Sequence, residues 1–383
     1  MAEDPHRPRP AEAAELRRLR AEVRALLADW RGRFTPVCDA WLRNYDLGFS
    51  RELARRGWIG ITWPREYGGQ GRSYAARLVI TEELLVAGAP VAAHWIADRQ
   101  IGPAILRYGT PELKAEFLPR IAAAEVTFCL GMSEPEAGSD LAAVRTTARR
   151  DGDGWRITGS KVWTSQAHRS THAYVLARTT PLAEAGAKHE GLTEFVVALD
   201  SPGVTVRPIL DLQGEHHFNE MVFEEVWVPD RWVIGTVGNG WRQVTEQLAY
   251  ERGGLERVLS TYPLVAALAD HAAASGDPAA IEAVGELAAR LAVLRRLGWD
   301  IVTAMDAGEA PVQQAAMLKL LGTTFEQEVT EVVRWVTGLE PEPGGDGLAG
   351  LLGQGILAAP GFSIRGGTSE VLAGIIARAE ARS

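Results

Sequence analysis

Near the end of the 383-residue chain, SIRGGTSEV (363–371) sets Gly366, Gly367, Thr368 and Ser369 in a bend between two apolar stretches, with Arg365 before it and Glu370 after. A glycine pair lets backbone come close to a ligand, and Glu370 is the one carboxylate here that could move a proton. A second stretch, SEPEAGSD (133–140), is a small-residue loop with hydroxyls at Ser133 and Ser139. Its backbone amides and hydroxyls suit a polar ring or a phosphate. Some thirty residues on, Trp163 is expected on a strand, with Thr164 and Ser165 beside it. An indole next to a hydroxyl can stack on a flat heterocycle and bond its edge. Taken alone, Trp163 reads as a core aromatic and the loop as a turn.

Other strings carry less. Residues 345–350 spell a formal GxGxxG, but Pro341 and Pro343 precede it where a dinucleotide fold needs a strand. His216 and His217 are adjacent, without the spacing of a zinc site, and read as a polar turn. Cys38 and Cys129 make neither a disulfide framework nor a metal site. The net charge of −9 argues against a nucleic-acid surface. No apolar run is long enough to span a bilayer, and the N-terminus has no secretory pattern, so no membrane is expected and a cytoplasmic location is.

The elements that must position these residues fall into three zones. From residue 1 to 125 the periodicity is helical: Leu16, Leu19, Val23, Leu26 and Leu27 form one stripe, and Thr110 with Pro111 reads as an N-cap and first helical residue. From 126 to 237 short β-rich runs such as WRITGSKVWTS, HAYVLART and TEFVVALD alternate with turn residues, which suggests a small β-barrel or sandwich. From 238 to 383 long helices return as a bundle. One opens at Pro311, closes at Gly338, and is expected to bury Leu321, Phe325, Val329, Val332 and Val336. The fold class is therefore α+β, in the order helical, β, helical.

In combination these motifs resemble the acyl-CoA dehydrogenase family. GWIGITWPREYGG (57–69), RYGTPELKAEFLPRIAAAE (107–125), MSEPEAGSDL (132–141), GSKVWTS (159–165), HFNEMVFEEVWVP (217–229), GW…LAYER (240–252) and GGTSE (366–370) match its pattern in order. The resemblance implies an N-terminal helical domain, a middle β-domain and a C-terminal four-helix domain. It implies FAD as cofactor and α,β-dehydrogenation of an acyl thioester, either of CoA or of a carrier protein. In that reaction a carboxylate takes the α-proton, the β-hydride leaves to flavin N5, and electrons pass to an electron-transfer flavoprotein. An α-C–H is a weak acid, so the thioester oxygen must be hydrogen-bonded and the base desolvated. Carried over by position, Leu130, Ser133, Trp163 and Ser165 line the flavin, and Ser139 lies near the CoA. Thr368 and Glu370 fall where the C-terminal loop touches the cofactor.

Many members carry the catalytic glutamate just before the Gly-Thr of that loop; here the position is Gly366, which keeps a backbone N–H that could bond the thioester oxygen. A branch of the family keeps its base on the first long helix of the C-terminal domain, which makes Glu251 the expected base and Arg252 its active-site neighbour. Glu256-Arg257, one turn on, reads as a solvated pair. The family's RxxFG segment is missing after this helix, as in a bacterial branch of heterotetrameric dehydrogenases for bulky thioesters such as those of steroid side chains. A homodimer or tetramer is expected, with a heteromer built with a paralogue also open. A silent partner subunit and a flavin-dependent oxidase or monooxygenase on the same fold stand as alternatives.

Overall fold

The computed structural model describes residues 10–251 and 253–381, with residues 10, 11 and 248–251 described in backbone only. Helices α1 (Pro10–Asp29), α2 (Ala40–Arg43), α3 (Leu47–Arg55), α4 (Tyr74–Val86), α5 (Ala92–Ile96), α6 (Gly102–Tyr108) and α7 (Pro111–Ala122) come first. Strands β1 (Phe128–Gly131), β2 (Thr147–Asp151), β3 (Gly154–Lys161), β4 (His172–Arg178), β5 (Leu192–Ala198), β6 (Val204–Leu210), β7 (His216–Pro229) and β8 (Val233–Ile234) follow. Then come α8 (Gly240–Glu251), α9 (Tyr262–Ser275), α10 (Pro278–Asp306), α11 (Val312–Thr337), α12 (Gly347–Phe362) and α13 (Ser369–Glu380). The chain divides into two compact units that interleave along the sequence.

One unit takes residues 45–71 and 91–248. Its sheet has eight strands in the order β6-β7-β3-β2-β4-β5-β8, and β1 adds in parallel to β4, with Leu130 opposite Tyr174. Every residue of β4 is buried, because both faces of the sheet are covered there. Ala173, Val175 and Ala177 join Phe195 and Val197 in one core, while Leu176 and Leu192 pack with Val244 of α8 in another. That double cover explains why the run reads as unbroken apolar rather than alternating. Thr110 caps α7 as expected, accepting from the Leu113 N–H at 3.2 Å with Pro111 at the first position. His216 and His217 begin β7 rather than forming a turn, since their backbone continues the antiparallel pairing with β6.

The other unit takes the described part of residues 1–44, residues 72–90 and the described part of 249–383. Leu16, Leu19, Val23 and Leu26 are buried along α1, as the stripe requires. Two carboxylates of α4 face that helix: Arg24 Nε meets Glu83 at 2.7 Å, Arg20 bonds both Glu82 and Glu83, and Arg295 of α10 bonds Glu82 from the other side. Helix α11 ends at Gly338 in the left-handed conformation, φ +62°. Its buried face is offset from the expected one. Leu318, Gly322, Phe325, Val329 and Val333 are inside, whereas Leu321 is exposed and Val332 and Val336 are half-covered. The glycine string 345–350 runs into α12 at Gly347 with no strand before it, so it lacks the context of a dinucleotide site.

Candidate functional site

Residues 132–134 are fastened to the end of β3. The Lys161 ammonium donates to the Met132 carbonyl at 3.0 Å and pairs with Glu134 at 2.8 Å, and the Val162 N–H donates to the Ser133 carbonyl at 2.9 Å. Glu134 also accepts the backbone N–H groups of Arg145 and Thr146, at 2.6 and 2.9 Å. Burial works against its charge, but Lys161 and these donors together hold its carboxyl below the usual range. Burial lowers the Lys161 ammonium to about 8, with Glu134 opposing. Two polar groups that read as ordinary loop chemistry are thus the internal frame of the loop.

Beyond Lys161 the strand stops. Trp163 sits not on a strand but past its end, at φ +59°, a conformation that non-glycine residues rarely adopt. Nor is it a core aromatic: the residue is 60% exposed and meets Phe218 in a T-shaped contact, ring centres 5.8 Å apart. What holds the backbone is Asn219 of β7. Its carbonyl accepts the Thr164 N–H, and its side-chain amide donates to the Thr164 carbonyl, each at 3.0 Å. The Thr164 hydroxyl is buried without a hydrogen-bond partner among the described residues. Leu130, Ser133 and Ser165 are half-buried and Ser139 is exposed on the same loop. The structure therefore brings Ser133 to the end of β3, where Trp163 and Ser165 follow, while Leu130 lies on β1.

The same unit holds a buried carboxyl. Glu194 of β5 is fully enclosed, and the side-chain amides of Gln243 and Gln247 on α8 donate to it at 2.9 and 3.1 Å. Burial raises its pKa to about 7, with Tyr174, Gln243 and Gln247 opposing.

In the other unit the loop 363–368 hangs between α12 and α13. The buried Lys319 ammonium donates to the Phe362 carbonyl at 2.7 Å, and the Thr323 hydroxyl donates to the same oxygen at 3.2 Å. Arg365 binds Asp39 through both guanidinium nitrogens, Nη2 at 2.6 Å. Gly366 and Gly367 have φ of +66° and +100°, so both positions require glycine's freedom. Thr368 caps α13, accepting from the Val371 N–H at 3.3 Å. Glu370 is exposed in the first turn of α13, where its own backbone N–H and the Thr368 hydroxyl hold its carboxyl below the usual range. Glu256 and Arg257 are not solvated: both are buried on a 3-10 turn, Leu255–Arg257. The Glu251 side chain and Arg252 lie outside the described residues.

An exposed indole followed by hydroxyl-bearing residues past the end of β3 can stack on a flat heterocycle such as a flavin. The chain belongs to the acyl-CoA dehydrogenase family: its N-terminal, middle and C-terminal domain models match residues 13–125, 129–226 and 238–381. With that family it is an oxidoreductase and a FAD-dependent flavoprotein. The acyl-CoA dehydrogenase FadE26 of Mycobacterium tuberculosis is 33% identical over 345 residues, 85% of this chain and 84% of that protein. The acyl-CoA dehydrogenase IpdE1 of the same organism is 39% identical over 247 residues, an alignment that spans 62% of this chain and 63% of that protein. Among solved structures, the Tcur3481-Tcur3483 steroid acyl-CoA dehydrogenase superposes with a TM-score of 0.86 at 29% identity, over 99% of each chain.

The residues past the end of β3 fit a flavin: the Trp163 indole is 60% exposed and offers a stacking face, and Ser165, two residues on, is half-buried and carries a hydroxyl. Among the described residues, no helix is long and apolar enough to cross a membrane.

Proposed function

We propose that the chain oxidises an acyl thioester, of CoA or a carrier protein, to its 2-enoyl form, with Glu251 as base. One observation carries the assignment of the base. The C-terminal loop offers no carboxylate at Gly366, and the only one nearby in sequence, Glu370, is exposed in the first turn of α13. Bound FAD supplies the acceptor for the β-hydride. Trp163, Ser133, Ser165 and Leu130 would hold the ring, and Thr368 and Glu370 are cofactor contacts by family position. The Gly366 N–H donates to the thioester oxygen and so acidifies the α-C–H, Glu251 takes that proton, Arg252 orients the thioester, and Ser139 contacts the pantetheine arm. Electrons then leave to an electron-transfer flavoprotein. The pairing of two proteins in the Tcur3481-Tcur3483 steroid dehydrogenase supports assembly with a paralogue, alongside a homodimer or tetramer.

Glu251→Gln tests the reading. The variant should retain FAD and its yellow colour, while bleaching by a panel of acyl-CoA thioesters is lost. Undiminished bleaching in that variant moves the base elsewhere. A wild-type protein that stays colourless with added FAD instead favours the partner-subunit reading.

A further inference from the structure

The space beside Gly366 is filled. A Cβ placed on this residue would lie 2.7 Å from Nη2, 3.0 Å from Cζ and 3.2 Å from Nη1 of Arg257, that is, against the body of the guanidinium. Such a neighbour could swing aside if it were the loose end of a surface arginine. Arg257 is not loose. It is buried, its Cζ stands 4.9 Å from the centre of the Trp41 ring, and the turn that carries it lies on α11 at Gly322, where the Arg257 carbonyl leaves no room even for a Cβ.

Trp41 is itself held. Its indole N–H donates to the Ser260 hydroxyl at 3.2 Å, and that hydroxyl donates to the Glu256 carbonyl at 2.9 Å, back on the turn that bears Arg257. The Ser260 N–H donates to Glu326 at 2.7 Å, and the Ser260 carbonyl accepts the Asp39 N–H at 2.8 Å. Asp39 in turn binds Arg365, whose Cζ stands 5.0 Å from the same Trp41 ring. One indole therefore carries two guanidiniums, one from the residue before Gly366 and one pressed against Gly366 itself. Asp39, Glu256 and Glu326 supply the opposing charge.

We propose that Arg257 is a positioning residue for the Gly366 loop: its guanidinium, laid on Trp41, takes the volume that a side chain at 366 would need and places a positive charge beside that residue. A guanidinium cannot accept a proton, so this wall can serve only to attract negative charge. A cation beside a peptide N–H strengthens that N–H toward an oxygen gaining charge, which is what a thioester oxygen does as the α-proton leaves. This last consequence rests on the reading that Gly366 faces the thioester; the packing of Arg257 on residue 366 does not.

The test is a cycle of Gly366→Ala, Arg257→Lys and the double variant, each purified with FAD. Thermal midpoints should show Gly366→Ala costly alone and less costly when Arg257 is already lysine, whose single ammonium keeps the charge but takes less room beside residue 366 than the planar guanidinium. Additive losses overturn the proposal. The second measurement uses the saturated acyl-CoA that reduces the wild-type flavin fastest in a chain-length panel. Arg257→Gln should lower kcat roughly 10-fold with KM changed less than about 3-fold, and Arg257→Lys should restore most of the rate. An unchanged kcat in Arg257→Gln overturns the electrostatic role. Coupled midpoints together with full turnover by Gly366→Ala would uphold the packing and count against the placement of Gly366 at the thioester.

Discussion

Lys161 and Glu134 meet at 2.8 Å across the joint between β3 and the loop that follows β1, with side-chain exposures of 0% and 8%. A pair so enclosed adds little over an apolar packing of the same shape, but removing one member strands the other. Lys161→Met should therefore cost about 3–5 kcal/mol in urea unfolding, and FAD should dissociate faster because residues 132–134 lose their tether. A cost under about 1 kcal/mol would show that water reaches Glu134 easily and that the joint is not dry.

Trp163 separates fold from ligand. With most of the ring in solvent, Trp163→Ala should change the unfolding free energy of the FAD-free protein by less than about 1 kcal/mol. Affinity for FAD, followed by quenching of flavin fluorescence, should fall roughly 10-fold through loss of a stacking surface. Equal affinity in the variant would remove Trp163 from the flavin site.

Glu194 gives stability a pH dependence with a definite sign. Unfolded, its carboxyl ionises near 4.5; folded, burial holds the proton to about 7. Between those values the folded protein binds more protons than the unfolded chain, so raising the pH destabilises it, by up to about 3 kcal/mol, and the loss levels off above 7. Glu194→Gln removes the ionisable group but keeps its shape. The variant should match the parent near pH 5 and exceed it in thermal midpoint at pH 8. A parent that is equally stable relative to the variant at both pH values would mean that Glu194 ionises at its ordinary pH.

Much of this was legible along the chain. The stripe on α1 and the Thr110 cap are local patterns, and local patterns survive folding. The apolar runs that became β4 and β5 were visible for the same reason. The buried face of α11 was not, because Leu321, Val332 and Val336 offer a plausible stripe of their own; what decides is Gly322, whose bareness lets the turn at Arg257 settle on the helix. Trp163 misled in the opposite direction, since an aromatic in a β-rich run suggests a core unless the strand's early end at Lys161 is known. Glu256 and Arg257 looked like surface charge because nothing local announces Trp41 as their neighbour. Contacts of that kind join segments hundreds of residues apart, and periodicity carries no trace of them.

The link between Asp39 and Arg365 spans 326 positions, and so it also sets an order in time. During synthesis Asp39 and Trp41 emerge early and must wait until almost the whole of this sequence has been made before Arg365 arrives to pair with the one and lie over the other. Residues 45–71 and 91–248 contain their own core and can collapse during that interval, whereas the first helices cannot complete theirs. The loop that carries Gly366 is thus also a late clasp, and a chain cut short anywhere between the two would leave a buried-type carboxylate still seeking its cation.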